Sequence, residues 1–214
     1  EVGGEQDMKT FQAWKIRREL YRIYYQIKGK IWTPSADRMR WKILDLVHRS
    51  PAKSVTAGDL SYGSKVAIFL IFQPKGVAGS VWFTLEHLLQ QGWSPIVVSN
   101  APISSDDLAR LRRTSVKVIE RENVGYDFGG YRDGVLELKV DGIEPERVLV
   151  LNDSSWFPLR ASDDTLQRLE ALDADFSGHV YKSEDETALW RDHIESHLLM
   201  FNRKGWTSDV IQSF

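Results

Sequence analysis

Residues 122–131 read Glu122-Asn123-Val124-Gly125-Tyr126-Asp127-Phe128-Gly129-Gly130-Tyr131, with three glycines inside six residues. So many glycines are costly in chain entropy and are expected where backbone turns sharply or closely approaches a ligand. A helix starting there would aim free N–H groups at an anion such as a diphosphate. Asn123 and Asp127 offer hydrogen bonds to a ribose or a base. The same string also suits a plain strand-to-helix turn with Asp127 as its cap, and it does not match GxGxxG. A second group is Leu151-Asn152-Asp153-Ser154-Ser155. A carboxylate at the mouth of a sheet is costly unless a cation meets it, and Mg²⁺ or Mn²⁺ on a diphosphate needs one or two such oxygens. Taken alone, these residue types equally make a turn and a helix cap. A third group is Asp192-His193-Ile194-Glu195-Ser196-His197. Strand alternation would put His193, Glu195 and His197 on one face, giving a metal ligand and a general base, or simply an exposed polar turn.

These groups need elements to position them. Val66 to Phe72 is a continuous apolar run, suited to a strand buried on both faces. A helix follows, with Ser80 as candidate N-cap, Val81, Leu85, Leu88 and Leu89 on its inner face and Gly92 at its end. Pro95 to Ser99 is the next strand. Ser104 and Asp107 form a capping pattern ahead of Leu108 and Leu111. Val116 to Ile119 is a third strand, Tyr131 to Leu138 a helix, and Val148 to Leu151 a fourth strand. Alternating strands and helices predict an α/β domain with a largely parallel sheet. Its ligands belong beyond the carboxyl ends of the strands, which are Phe72-Gln73, Ser99-Asn100, Arg121-Glu122-Asn123 and Asn152-Asp153.

The 214 residues leave room for one medium domain and an appendage. The 42% hydrophobic and 27% charged composition is that of a globular protein. No apolar run approaches the roughly 20 residues that span a bilayer. The lack of cysteine excludes disulfides, zinc thiolates and cysteine nucleophiles, and it fits a cytoplasmic address. A net charge of −2 argues against nucleic acid. Residues 10–31 read as a helix with Ile16, Leu20, Ile23, Ile27 and Ile31 at helical spacing. Seven basic residues against Glu19 between Lys9 and Lys30 make it a candidate for peripheral contact with the inner face of the cell membrane. The equally plain alternative is packing on the domain or a partner. A second helix is expected over 36–48, and residues 50–64 read as a linker with Pro51, Gly58 and Gly63 as breakers. The division expected is thus a helical arm and linker over 1–64 and the α/β domain over 65–214.

Together these segments resemble the rhamnan synthesis protein F family of bacterial polysaccharide glycosyltransferases. The resemblance rests on Val98-Ser99-Asn100, Asp106 to Leu111, Arg121 to Gly129 with Gly134, Leu151 to Ser154, Pro158-Leu159, and His193 with Ser196. The string E-N-x-G-Y-D-F-G is its specific part. The resemblance implies a GT-A-like, Rossmann-type fold and a nucleotide-diphosphate sugar donor, such as dTDP-rhamnose. It also implies a glycan or lipid-linked glycan acceptor in O-antigen or cell-wall assembly. Carried over by position, Asn123, Gly125, Asp127 and Gly129 would contact the nucleotide, together with Glu122, Tyr126 and Gly130 of the same string. Asn100 would lie near the base, and Asn152 and Asp153 would meet the divalent metal with His193 completing its ligands. Asp192 and Glu195 are the candidate bases for deprotonating an acceptor hydroxyl. This chain departs from the pattern in having Asn-Asp-Ser where Asp-x-Asp is expected, Phe72-Gln73-Pro74 after the first strand, and Phe157 in place of glycine. It also ends soon after His193, so acceptor-side elements are expected outside it. The rival reading is a non-catalytic module that binds a nucleotide sugar or docks a partner of an assembly complex.

Overall fold

The computed structural model describes residues 52–172, 174–183 and 192–212. The helices expected over 10–31 and 36–48 lie outside them. In chain order the elements are β1 (Ala52–Ala57), β2 (Lys65–Ile71), α1 (Gly79–Gln90), β3 (Ser94–Ser99), α2 (Ser105–Arg113), β4 (Lys117–Arg121), α3 (Tyr126–Val140) and β5 (Arg147–Asn152). They continue with α4 (Thr165–Ala171), β6 (Phe176–Gly178), β7 (Tyr181–Lys182), β8 (His193–Ile194), β9 (Leu198–Asn202), α5 (Arg203–Trp206) and α6 (Asp209–Gln212).

The apolar run of β2 is buried because β2 is the middle of a seven-stranded sheet ordered β1-β4-β3-β2-β5-β9-β6. β4, β3, β2 and β5 are mutually parallel, and antiparallel β1 and β9 flank them. The domain is therefore a mixed α/β fold around a mostly parallel sheet. Side chains of β2 alternate between two cores. Ala67, Phe69 and Ile71 meet Val81, Leu85 and Leu88 of α1 and Leu166 and Leu169 of α4. Val66, Ile68 and Leu70 meet Tyr131, Val135 and Leu138 of α3. Each buried Val, Leu, Ile or Phe side chain among them contributes about 1.5–3 kcal/mol by removal from water.

Several local expectations hold in detail. Ser104 caps α2 by accepting from the Asp107 N–H at 3.1 Å, and Gly92 ends the turn after α1 at φ 75°. Others are corrected. The stretch 50–64 is no mere linker, since it contains β1, paired antiparallel to β4. An edge strand with exposed Ser54, Val55 and Ala57 lacks the long apolar run by which buried strands are recognised. Gly58 then crosses so close to Ser115 that a Cβ would lie 1.9 Å from its carbonyl oxygen. The N-cap of α1 is Ala78 rather than Ser80, and no side chain caps that helix.

The largest correction concerns α3, which begins at Tyr126, five residues before the expected start. Glycines at 129, 130 and 134 hide helical propensity, and their role is close packing. A Cβ on Gly134 would lie 2.5 Å from Ile68 Cγ2, and one on Gly130 would lie 2.3 Å from Leu70 Cδ1. Gly134→Ala is expected to cost about 1–3 kcal/mol, the range for overpacking a filled core. Chemical denaturation would measure it, and an unchanged midpoint would refute the close approach.

Candidate functional site

The carboxyl ends of β2, β3, β4 and β5 lie along one edge of the sheet. The chain leaves β2 toward β3 but leaves β5 toward the β9 side. Strand connections that part in this way open a crevice at the carboxyl ends. The polar strand-end residues expected from sequence gather there.

Arg121, at the end of β4, holds one half of the site. Its side chain is fully buried and paired with Asp133 of α3, Nε to Oδ2 at 2.6 Å. It also donates to Asn100 Oδ1 and to the Val124 carbonyl, each at 2.5 Å. Burial pushes the Asp133 carboxyl up, and the Arg121 charge opposes that rise. With its Oδ1 committed to Arg121, the Asn100 amide donates to Asn123 Oδ1 at 3.0 Å and to the Tyr126 carbonyl at 3.3 Å. Neither Arg121 nor Asp133 stood out as a site residue in the sequence. The available signal was an arginine at the end of an apolar strand, which must find an anion once buried.

The chain enters α3 through two successive left-handed residues, Gly125 at φ 82° and Tyr126 at φ 50°. Gly125→Ala is expected to cost about 1–2 kcal/mol, because a Cβ disfavours that region. A thermal shift assay reads it, and no loss of melting temperature would contradict the strained turn. Gly129 and Gly130 face protein rather than the crevice. A Cβ on Gly129 would lie 2.3 Å from the Val124 oxygen, the one that Arg121 also engages. Of the three glycines expected to let a ligand approach, two instead let α3 lie down on the sheet. Glu122 and Asn123 are exposed beside the turn.

Asn152 and Asp153 hold the other half. Asn152 is buried, and its amide donates to Asp127 Oδ2 at 2.7 Å. It also hydrogen-bonds the Tyr131 hydroxyl, whose pKa is raised by burial first and by the charges of Asp127 and Asp153 next. The Tyr131 hydroxyl in turn donates to the Ser196 carbonyl at 3.0 Å. This network explains why an amide stands at 152. A carboxylate there would face the Asp127 carboxylate and lose the donor that Asp127 requires. Asn152→Asp is thus expected to destabilise the domain by about 1–3 kcal/mol at neutral pH. Repulsion between two carboxylates is relieved when one of them is protonated, so stability should return in acid. Denaturation midpoints at pH 7 and pH 4 test this, and an equal loss at both would exclude the repulsion.

Asp153 Oδ2 accepts from the Phe72 N–H at 2.9 Å and from Gln73 Nε2 at 2.7 Å. It therefore ties the ends of β2 and β5 across the crevice. The third group reaches the site at its far end, where the Tyr131 hydroxyl meets the Ser196 carbonyl and the Asn152 N–H donates to the His197 carbonyl at 3.2 Å. His193 belongs to β8, which pairs with β7 in a separate two-stranded sheet. Glu195 directly follows β8, its N–H donating to the Val180 carbonyl at 2.9 Å, and its carboxylate is bonded to Lys182 and lies 3.9 Å from His193 Nε2. The Lys182 hydrogen bond holds the Glu195 carboxyl below its usual range, which weakens it as a base. Asp192 accepts from the Tyr181 hydroxyl at 2.5 Å. The expected alternation brings His193 and Glu195 together, but β8 stops at Ile194 and a turn at residues 196–197 precedes β9, so no continuous strand carries it on to His197. His197 stacks edge-on against His179 at 4.7 Å.

Among the described residues no group of three or more His, Asp and Glu side chains is placed to hold a metal. The carboxylate and amide oxygens of Asp153, Asp127 and Asn152 are hard donors. They fit a Mg²⁺ or Mn²⁺ ion that keeps most of its ligands as diphosphate and water, and they do not fit a closed protein cage. Among the described residues no helix is long and apolar enough to cross a membrane.

Comparison with known proteins gives three results. Residues 95–214 match the model of the family described as Rhamnan synthesis protein F. A relative from Sinorhizobium fredii (strain NBRC 101917 / NGR234), the uncharacterized protein y4gN, is 37% identical over 192 residues, covering 89% of this chain and 49% of the relative. The chain thus spans about half the length of that relative. A solved structure, the glycosyltransferase GlyE of Streptococcus pneumoniae TIGR4, is 13% identical with a TM-score of 0.35, covering 70% of this chain and 37% of that one. A likeness that slight carries no functional weight.

Proposed function

The chain belongs to the rhamnan synthesis protein F family, and from that premise we propose that residues 65–214 form the donor-binding part of a glycosyltransferase. It would take a nucleotide-diphosphate sugar, with dTDP-rhamnose as the first candidate, and pass the sugar to a glycan hydroxyl of a bacterial cell-surface polysaccharide. The observation that carries this reading is the hydrogen-bonded polar floor at the strand ends. It runs from Asp133 through Arg121 and Asn100 to Asn123 and the Tyr126 carbonyl, and from Asp127 through Asn152 to Tyr131. Side chains fixed by neighbours in this way can orient a ligand without paying for their own ordering.

In this reading Asn123 and Glu122 are the exposed groups that meet the nucleoside. The N-terminus of α3 supplies N–H groups to the diphosphate. Asp153 is the carboxylate offered to a divalent metal, which when bound would neutralise charge on the departing diphosphate. Gly129 and Gly130 serve indirectly, by setting the depth of α3. Asp192 and Glu195 remain the proposed bases for the acceptor hydroxyl. Glu195 must first part from Lys182, so Lys182→Met would leave it a stronger base. The cytoplasmic location, the lipid-linked acceptor and the membrane contact of residues 10–31 belong to the same proposal.

Calorimetric titration of the chain with dTDP-rhamnose, UDP-sugars and GDP-sugars, with and without Mn²⁺, tests it. Saturable binding of one nucleotide sugar, lost in Asn123→Ala, is the expected result. Binding of none of them would overturn the donor-site reading and leave a docking module of a polysaccharide assembly complex.

A further inference from the structure

The segment that leaves β5 exposes two large apolar side chains, Trp156 at 78% and Leu159 at 80% of their full surface. Their exposure is built in, because the residues between them are held down. Phe157 packs onto the core beneath α1, its carbonyl accepts from the Thr84 hydroxyl, and its ring meets His87 edge-on at 5.5 Å. Pro158 is buried. At the segment's start the Ser154 N–H donates to Asn152 Oδ1 at 3.2 Å. The pinned segment therefore holds an indole and a leucine side chain in water.

Its neighbours suggest what it touches. The segment begins at Asp153, on the floor described above, with Phe72 exposed just past β2 and Tyr126 and Phe128 exposed in the first turn of α3. Glu122 follows β4, Asp127 lies in the first turn of α3 and Asp153 follows β5, against Lys75 in the loop after β2. That acidic surround repels an anionic bilayer but not an uncharged carbohydrate. A sugar presents one face of C–H groups to an aromatic plane, while its hydroxyls need hydrogen-bonding partners at the rim. Ser154 and Ser155, next to Trp156, are such partners.

We propose that Trp156, flanked by Leu159, is the platform on which sugar rings of an uncharged glycan acceptor lie, beside the donor crevice. The proposal rests on the transferase reading, yet it is tested separately from donor binding. The full chain, its Trp156→Ala and Trp156→Phe variants, and a tetrasaccharide of linked rhamnose as probe suffice. Saturation transfer from protein to sugar protons measures contact, and titration measures affinity.

The expected result is transfer to the ring C–H protons in the parent chain. Affinity should fall about tenfold or more in Trp156→Ala, as for truncation of an aromatic hot spot, and recover substantially in Trp156→Phe. Nucleotide-sugar binding should be unchanged in both. Equal tetrasaccharide affinity in Trp156→Ala, or no binding by the parent chain, overturns the platform even where the nucleotide sugar still binds. Loss of sedimentation with phosphatidylglycerol vesicles in Trp156→Ala, with saccharide binding intact, overturns it in favour of a lipid surface. Saccharide binding that depends on Trp156 without any nucleotide-sugar binding would leave the platform standing and remove the donor site.

Discussion

Replacing Arg121 by methionine should destabilise the domain by about 3–5 kcal/mol, the range for breaking a buried ion pair from one side. Methionine fills much of the same volume, so the loss comes mainly from chemistry. Asp133 keeps a carboxylate in a buried site with its partner gone, and the Val124 carbonyl and Asn100 Oδ1 lose their donor. The pH dependence identifies the cause. Burial already pushes the Asp133 carboxyl up, and Arg121 is the first influence opposing it. Without Arg121 the folded-state pKa lies further above the unfolded value of about 3.9. The part of the penalty due to the Asp133 charge should therefore vanish below that value and grow as pH rises through the raised one, leaving only the cost of the two orphaned acceptors at low pH. Arg121→Met/Asp133→Leu should recover most of the stability, as apolar replacements of buried pairs often do. Urea midpoints of the three proteins at pH 4 and pH 7 decide the matter, and a pH-independent loss in the single variant would sink the account. Asn100 should lose its fixed orientation in both variants, so nucleotide-sugar binding should stay weak even where stability returns.

Asp153→Asn is expected to lower sugar transfer by at least about 100-fold, the usual scale for removing a charge-stabilising group from a preorganised site. Asparagine is more informative here than alanine. Asp153 Oδ2 joins β2 to β5 by accepting from the Phe72 N–H and Gln73 Nε2, and an alanine would also cut that tie. An asparagine oxygen can still accept both bonds, so the fold should persist while the charge is lost. Unchanged melting temperature with unchanged transfer would remove Asp153 from the chemistry and leave it a strand tie.

The parallel core was legible because buried parallel strands write themselves as unbroken apolar runs. Val66–Phe72, Pro95–Ser99 and Val148–Leu151 each sit within a residue or two of an observed strand. Strands without that signature were not legible. β1 is an exposed edge, and β6, β7 and β8 are two or three residues long, so each depends on a partner rather than on its own pattern. The start of α3 was missed because glycine opposes helix locally, while contact with Ile68 and Leu70 decides the outcome. Asn100, Asn123, Asn152 and Asp153 were singled out by their place at strand ends and Asp127 by the glycine-rich string, and the structure gathers them at one edge of the sheet. Arg121 and Asp133 were not, since their meeting follows from α3 lying over β4. His193 and Glu195 do meet, 3.9 Å apart, but extending that face to His197 needs a continuous strand, and the chain turns at residues 196–197 instead.

The order of the strands has a consequence for how the protein is made. β2 borders β5, whose first residue follows some 80 positions later, with Lys65 opposite Arg147. Closing a segment that long is slow relative to local pairing. A chain leaving the ribosome can assemble β2, β3 and β4 while the other edge of β2 still waits for β5. That edge carries Val66-Ala67-Ile68-Phe69-Leu70-Ile71, a run that pairs readily with any other open strand. Synthesis paused before residue 147 would therefore hold the most aggregation-prone segment of the nascent domain open. Mutations that slow the docking of β5 should reduce the yield of soluble protein before they change the stability of what does fold.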